Sequence, residues 1–154
     1  MFKPIRTPCI GVCSTGIGDS VCRGCKRFAH EVIQWNAYNH DERAAIDARL
    51  QSLLRQVMEP KLTVVDARLL QQQIELQRIR YNPSHHCYSW AFDLLKAGAS
   101  QIEDIREFGC VLSAQWSARP LAELKLAIDA DMYTLSCAHY ERYIAPSFSP
   151  SPTE

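Results

Sequence analysis

The sequence predicts an all-α protein in which an N-terminal four-cysteine metal knuckle precedes a helical bundle of about five to six helices. Four of the seven cysteines lie within the first 25 residues, at positions 9, 13, 22 and 25. Beyond them, apolar residues recur at helical spacing, and no alternating strand pattern of useful length occurs. We expect three regions: residues 1–58 as a metal-binding module with two helices, residues 60–143 as a helical domain, and residues 144–154 as a disordered tail.

The cysteine-rich N-terminus is expected to fold around a metal. Residues 1–25 contain several prolines and glycines and show little periodicity, so a bound ion rather than an apolar core should order them. The spacings Cys9-x3-Cys13 and Cys22-x2-Cys25 each place two thiolates within reach of one ion. Together the pairs supply the four sulfurs that tetrahedral Zn²⁺ or a small iron–sulfur cluster requires. We therefore predict these four cysteines as metal ligands, and no catalytic residue.

Two local features favour Cys22 and Cys25 as ligands. Gly24 permits a positive φ, which would let the backbone curl around a thiolate and direct N–H groups at the sulfur. Cys25 lies at the predicted start of a helix, where the positive end of the helix dipole lowers the pKa of a thiol. Both features favour the deprotonated cysteine that binds metal.

Two helices are predicted directly after the cysteines. The first begins near Lys26 and is interrupted from Asn36 onward. Asn39 and Glu42 have the spacing of a capping box, and they open a second helix that stops before Pro60. The apolar faces of the two helices are Phe28, Val32 and Trp35, then Ile46, Leu50, Leu53, Leu54 and Val57.

Two more helices are predicted in the middle of the chain. The first is opened by residues Thr63 to Asp66, runs toward Tyr81 and is ended before Pro83, because the residue before a proline disfavours helix. The second is ended by Gly98. Their apolar faces are Val65, Leu69, Leu70, Ile74 and Leu76, then Tyr88, Ala91, Phe92 and Leu95.

A brief helix and a long one complete the predicted elements. Ser100 and Glu103 have capping-box spacing, and Gly109 should end the brief helix. Pro120 suits the first turn of the last helix, which continues to about Tyr143. Its apolar face is Leu121, Leu124, Ile128, Met132 and Leu135.

Charge is unevenly distributed although the whole chain carries seventeen basic and seventeen acidic residues. Residues 1–27 have a net charge of about +4 by count, and the remainder about −4. Four thiolates on a divalent ion carry about −2, so the nearby cations are explained by charge neutralisation at the metal. The alternative is nucleic-acid binding through Arg6, Arg23, Lys26 and Arg27.

The expected location is the cytoplasm, with no membrane segment. No run of about 18 apolar residues occurs, and the first eight residues lack the apolar core of a secretory signal. Seven cysteines, an odd number, argue against a disulfide framework and favour metal or redox chemistry under reducing conditions.

The order of motif elements resembles a known family. The elements are residues 8–13 (PCIGVC), residues 21–27 (VCRGCKR), Glu31, Trp35, residues 41–43 and Leu50. Over residues 6–55 they resemble the YdhL-like family (domain of unknown function 1289), which is catalogued as predicted iron–sulfur proteins. The resemblance implies that the four cysteines hold a metal centre and that residues 28–55 are two helices beside it, and it implies no reaction.

Chemistry alone leaves zinc and iron–sulfur open, because both accept four thiolates. The family label favours an iron–sulfur cluster. A thiol–disulfide centre at Cys22 and Cys25 is a further alternative, but such a motif belongs in a βαβ unit that the sequence lacks.

Other residue groups are interpreted as structural. His30 could replace a ligand, but a packing or exposed residue is the simpler interpretation. The group His85, His86 and Cys87, and the pair Cys137 and His139, lie on or near helices, where neighbouring side chains point in different directions. Trp35, Trp90 and Trp116 fall within helical stretches and are expected in cores or interfaces.

The function predicted from the sequence is a small metal-binding protein, a non-enzymatic module that interacts with a protein partner. An iron–sulfur electron-transfer or redox protein is the alternative, and nucleic-acid binding is a third. No phosphate-binding loop, serine–histidine–aspartate set or zinc-protease motif occurs.

Overall fold

The structure, a computed structural model, describes residues 4–11 and 13–148, without the side chain of residue 148. Its α-helices are α1 (Ala29–Gln34), α2 (His40–Met58), α3 (Ala67–Leu76), α4 (Cys87–Gly98), α5 (Leu121–His139) and α6 (Ala145–Phe148). Its strands are β1 (Leu62–Val64) and β2 (Cys110–Leu112). Short 3₁₀ segments lie at Ser14–Ile17, Trp35–Ala37 and Ile105–Phe108, and a π-helical turn at Tyr140–Ile144 follows α5. The mostly helical class is confirmed.

The all-α prediction holds for most of the described residues, but β1 and β2 form a small antiparallel sheet that it did not include. Leu62 lies opposite Leu112, and Val64 lies opposite Cys110. Each strand has three residues, which is too short to leave a period-2 pattern in the sequence. The sheet therefore could not be predicted from the sequence pattern.

Two compact units divide the chain. The first comprises the N-terminal residues through Leu50 together with the C-terminal residues from Met132, and the second is Gln51–Asp131. The sequence placed its boundary between residues 58 and 60, where the apolar stripe ends at a proline. The two units divide within α2 and within α5, and the predicted domain boundary stays a prediction.

The first unit contains a core cluster of Trp35, Ile46 and Leu50, with Ile5 and Tyr38 packed against it. The predicted capping box at the start of α2 is confirmed. The Asn39 side-chain oxygen accepts the Glu42 N–H at 2.9 Å, and the Glu42 carboxylate accepts the Asn39 N–H at 3.2 Å. The cap sets the start of α2, and its apolar face then buries Ile46 and Leu50.

In the second unit, both ends of α3 differ from the prediction. Asp66 caps the helix by accepting the Leu69 N–H at 3.0 Å, whereas Thr63, predicted to open this helix, lies in β1. The helix ends at Leu76 rather than near Tyr81. Residues buried in this unit include Leu62, Leu70, Ile74, Leu94, Leu95, Ile105, Phe108, Leu124 and Ile128.

A Schellman-type turn explains the early end of α3. Arg78 has a φ of +57°, its N–H donates to the Glu75 carbonyl at 3.1 Å, and the Ile79 N–H donates to the Ile74 carbonyl at 3.0 Å. Glycine is the usual residue at this left-handed position. Because an arginine occupies it, no glycine marks the end of the helix in the sequence.

The turn around Gly109 joins the 3₁₀ segment Ile105–Phe108 to β2. Asp104, and not the predicted Ser100, caps this segment by accepting the Arg106 N–H at 2.9 Å. The predicted stop at Gly109 is confirmed, with a φ of +75°. The Gly109 carbonyl accepts the N–H of Val65 at 2.9 Å and of Asp66 at 3.1 Å.

Replacing Gly109 with alanine is expected to be strongly destabilising. A Cβ atom there would lie 2.4 Å from the Asp66 carbonyl oxygen, and the positive φ adds strain. We expect a loss of about 3 kcal/mol in the free energy of unfolding. Gly98→Ala is the matched control, since no atom lies within 4 Å of its added Cβ. Urea unfolding tests both; a Gly109→Ala midpoint no lower than that of Gly98→Ala would contradict the expectation.

Part of the stretch predicted to be a disordered tail is helical. The tail was expected to be disordered from residue 144, but Ala145–Phe148 is helical, and residues 149–154 lie outside the described residues. Within residues 4–11 and 13–148, no helix combines the length and the apolar character that crossing a membrane requires.

Candidate metal centre

Residues 20–29 fold into a tight antiparallel turn, which we name the cysteine turn. Val21 and Phe28 form an antiparallel bridge across it. The Cys22 N–H donates to the Arg27 carbonyl at 2.9 Å. This short ladder holds the stretch from Cys22 to Cys25 as a closed loop.

The backbone of the cysteine turn differs from the prediction in two ways. The left-handed residue is Lys26, with a φ of +68°, and not Gly24. The Lys26 N–H donates to the Cys22 carbonyl at 2.9 Å and so closes the loop. Helix α1 begins at Ala29, so the expected effect of a helix dipole on Cys25 is also wrong. Hydrogen bonds to sulfur take its place.

Hydrogen bonding affects the pKa of the Cys22 thiol. The backbone of Cys25, Ser14 and Gly24 and the side chain of Cys25 contribute hydrogen bonds that lower this pKa. Burial raises the pKa of Cys22, but these hydrogen bonds outweigh that effect and lower the pKa to about 7. Cys22 is thus predisposed to the thiolate form in which cysteine binds metal.

Cys25 lies beside Cys22 and has its own cationic neighbour. Burial raises the pKa of Cys25, and a hydrogen bond from Arg27 opposes this rise. The Arg27 Nε donates to the Cys25 Sγ at 3.2 Å. Both cysteines are buried, with 1 % of Cys22 and 9 % of Cys25 exposed.

The other predicted ligands, Cys9 and Cys13, are exposed. The Cys9 sulfur accepts the Gly11 N–H at 3.4 Å, in a turn where Gly11 has a φ of +89°. The Cys13 sulfur lies 3.0 Å from the Thr15 hydroxyl. Gly11 lies two residues after Cys9, and Gly24 lies two residues after Cys22. In both cases the glycine backbone forms a hydrogen bond with the cysteine.

Ser14 anchors the segment that carries Cys13 to the cysteine turn. The Ser14 hydroxyl accepts the Arg23 N–H at 2.8 Å, and the Ser14 backbone forms a hydrogen bond with Cys22. Ser14 is buried and is the residue next to Cys13. The chain of the first cysteine pair therefore contacts the second.

The structure brings Cys22 and Cys25 together and leaves Cys9 and Cys13 at the surface. In the part of the chain that it describes, no group of three or more histidine, cysteine, aspartate or glutamate side chains is arranged to hold a metal ion. The four-cysteine centre therefore stays a prediction. The donor set fits a thiophilic centre, since the thiols of Cys22 and Cys25 both have hydrogen bonds that lower their pKa.

An interaction network that the sequence did not reveal supports the cysteine turn. Glu31 is buried; its carboxylate accepts the Phe28 N–H at 2.9 Å and two hydrogen bonds from Arg49, at 2.6 and 2.7 Å. The Arg49 guanidinium also lies 4.0 Å from the centre of the Phe28 ring. The partners are eighteen residues apart, so no local pattern could have identified the pair.

A second set of contacts connects the cysteine turn to α5. Arg23 forms an ion pair with Asp19 at 3.1 Å, and its guanidinium lies 4.8 Å from the Tyr133 ring centre. On the other side, the rings of His139 and Tyr140 lie 6.0 and 5.3 Å from the Phe28 ring. These contacts hold the turn within the first unit.

The basic residues proposed for nucleic acid do not form one exposed patch. Lys26 and Arg27 are only 4 % and 3 % exposed. Arg6 and Arg23 are exposed, but Arg23 is engaged by Asp19. The burial favours neutralisation of the cysteine sulfurs over phosphate contact.

His30, His85, His86 and Cys137 have structural partners. His86 caps α4 by accepting the Ser89 N–H at 3.2 Å, and His85 contacts Asn82 at 3.2 Å. Cys137 is hydrogen-bonded to Tyr133. His30 packs with its ring centre 6.0 Å from that of Phe28. Trp35 and Trp116 are buried, and Trp90 donates to the Asn82 carbonyl at 2.9 Å.

Comparison with known proteins found a family match for one region of the chain. Searches of curated proteins and of solved structures found no match. The family model described as "Protein of unknown function (DUF1289)" matches residues 7–54, which include all four predicted ligands. Residues 7–54 therefore carry the region that defines the DUF1289 family, and the resemblance predicted from the sequence is confirmed over that segment.

Proposed function

We propose that Cys9, Cys13, Cys22 and Cys25 bind one metal centre, either zinc or an iron–sulfur cluster, and that the protein is a non-enzymatic module that binds a protein partner. In this function the metal contributes folding free energy to the N-terminal loops, because the loops contain little apolar core of their own. The helices beside the centre then present a surface of fixed shape.

One observation carries the proposal: the Cys25 sulfur accepts a hydrogen bond from Arg27 at 3.2 Å in the same turn that holds Cys22, whose pKa hydrogen bonding lowers to about 7. Such donors stabilise negative charge on sulfur and orient it as a ligand. The Cys9 sulfur accepts a similar donor from Gly11, and Ser14 connects the two cysteine pairs. These contacts support a common centre for both pairs.

The cytoplasm is the proposed location. None of the seven cysteines, all of which lie within residues 4–11 and 13–148, forms a disulfide in the structure. Free thiols persist in reducing compartments and are the form that a metal site needs.

Metal analysis after anaerobic purification tests the proposal. A colourless protein with about one equivalent of zinc would support the interaction module. A brown protein whose visible absorption bleaches on reduction would support the electron-transfer alternative, for which the Arg27 hydrogen bond to the Cys25 sulfur would tune the reduction potential. Protein that contains neither zinc nor iron, and takes up neither on reconstitution, would contradict both.

A further inference from the structure

Three arginines of the second unit have no side-chain partner. Among the residues that the structure describes, no side-chain hydrogen bond, ion pair or ring contact involves Arg68, Arg78 or Arg80. All three are exposed. The other arginines of this unit form ion pairs with nearby acids, namely Arg55 with Glu59, Arg106 with Asp104 and Arg119 with Glu123. The three unpaired arginines are therefore a distinct set.

The acidic residues of the segment that carries these arginines have other partners. Residues 66–80 contain two acids, Asp66 and Glu75. Asp66 caps α3 by accepting the Leu69 N–H at 3.0 Å. The Glu75 carboxylate accepts the Tyr81 hydroxyl at 2.5 Å. The positive charge of the segment is thus not paired within it.

The unpaired arginines accompany an exposed apolar side chain. Arg68, Gln72 and Leu76 follow one another at i, i+4 spacing and share the exposed face of α3, which they cover over about 12 Å. Leu76 is 75 % exposed. Arg78 and Arg80 come within four residues after it, a length of chain that spans at most about 14 Å. We name Arg68, Leu76, Arg78 and Arg80 the α3 surface.

The chemistry of the α3 surface favours an acidic peptide as its ligand. Guanidinium groups bind carboxylates through pairs of parallel hydrogen bonds. Arg68 lies in the first turn of α3, where the helix dipole disfavours a cation, so a carboxylate bound there would offset that cost. A peptide side chain can also cover Leu76 and remove its apolar area from water.

Nucleic acid fits the α3 surface less well. Single strands bind through aromatic side chains on which their bases stack. The aromatic residue that follows the arginines, Tyr81, packs edge-on against Trp90 with ring centres 5.7 Å apart, and its hydroxyl is bonded to Glu75. A phosphate backbone would also leave Leu76 in contact with water.

We propose that the α3 surface binds an acidic peptide segment of the protein partner, with carboxylates at the arginines and an apolar side chain against Leu76. That a partner exists rests on the proposed function. The α3 surface itself does not depend on the metal centre, because all its residues belong to the second unit.

An NMR titration of the isotope-labelled full chain with a synthetic peptide tests the inference. The probe peptide has a central leucine flanked by glutamates, and the control peptide has glutamines in place of the glutamates. We expect the probe to shift the amide signals of residues 66–80 and to bind at least about 10-fold more tightly than the control peptide. Added salt should weaken the binding of the probe.

Two double variants with the same change in charge separate the surface from net charge. Arg78→Gly with Arg80→Gln should fold, because Arg78 has a φ of +57° that glycine adopts without strain. We expect it to weaken binding about 5- to 30-fold. Arg106→Gln with Arg119→Gln is the matched control, since both arginines are exposed but paired with acids. It should weaken binding by less than about twofold.

Three outcomes would overturn the inference. The first is an equal loss in the two double variants, since net charge would then explain binding. The second is the absence of shifts at residues 66–80 with millimolar probe. The third is tighter binding of a single-stranded oligonucleotide than of the probe at these residues, which would assign the surface to nucleic acid.

Metal content measured on the same samples keeps the two proposals apart. Metal-loaded protein that does not bind the probe contradicts the α3 surface and leaves the metal centre intact. Protein that takes up no metal but binds the probe through residues 66–80 supports the α3 surface and contradicts the metal centre.

Discussion

Cys22→Ser is expected to abolish metal binding and to expose the N-terminal residues to proteolysis. Serine keeps the size of the side chain but removes the thiol whose pKa hydrogen bonding lowers to about 7. Because the metal is expected to supply much of the folding free energy of residues 4–35, its loss should release that segment. Metal content should fall to background, and limited proteolysis followed by mass spectrometry should find new cleavages within these residues.

Cys87→Ser is the matched control for that substitution. Cys87 is half-buried at the first position of α4, and the resemblance gives it no metal role. It should retain full metal and the proteolysis pattern of the unmodified protein. Full metal and unchanged proteolysis in Cys22→Ser would remove Cys22 from the ligand set.

Arg49→Met is expected to cause the largest loss of stability in the first unit. Glu31 has a side chain only 6 % exposed and that of Arg49 is 18 % exposed, so removing Arg49 leaves a buried carboxylate without its cation. Breaking such a pair costs roughly 3–5 kcal/mol. The same substitution also removes the guanidinium from the face of Phe28, at the end of the cysteine turn. Chemical denaturation followed by tryptophan fluorescence and circular dichroism measures the loss.

Arg55→Met provides the control, because it removes an ion pair of the same length in a different environment. Arg55 and Glu59 lie 2.6 Å apart, but their side chains are 53 % and 50 % exposed. Exposed pairs contribute about 0–1 kcal/mol. If Arg49→Met costs no more than Arg55→Met, the Glu31–Arg49 pair is not a structural support of the cysteine turn.

The parts of the fold that depend on local chemistry could be predicted from the sequence. The capping box of Asn39 and Glu42 and the stop at Gly109 are formed by neighbours in the chain, and both are confirmed. The end of α3 could not be predicted, because Arg78 takes a left-handed conformation that normally signals glycine. The β1–β2 sheet pairs two segments that are nearly fifty residues apart in the chain. Each strand has only three residues, so the local sequence pattern could not predict it.

The candidate site divides in the same way. The structure places Cys22 and Cys25 in the same turn, and their role as metal ligands stays a prediction. The features of this turn were misassigned: Lys26 rather than Gly24 turns the backbone, and hydrogen bonds rather than a helix dipole act on the sulfurs. Glu31 and Arg49 were missed because their contact depends on how α1 meets α2. Burial of Lys26 and Arg27 likewise depends on the folded turn and not on composition.

X-ray absorption spectroscopy at the metal edge tests the central claim most directly, because it counts the atoms bound to the metal. If the bound metal is zinc, the four-cysteine centre predicts four sulfur neighbours per metal at roughly 2.3 Å. The same measurement on Cys9→Ser should show the loss of one sulfur. A metal bound by fewer than four sulfurs in the unmodified protein, or by nitrogen and oxygen in their place, would contradict the account.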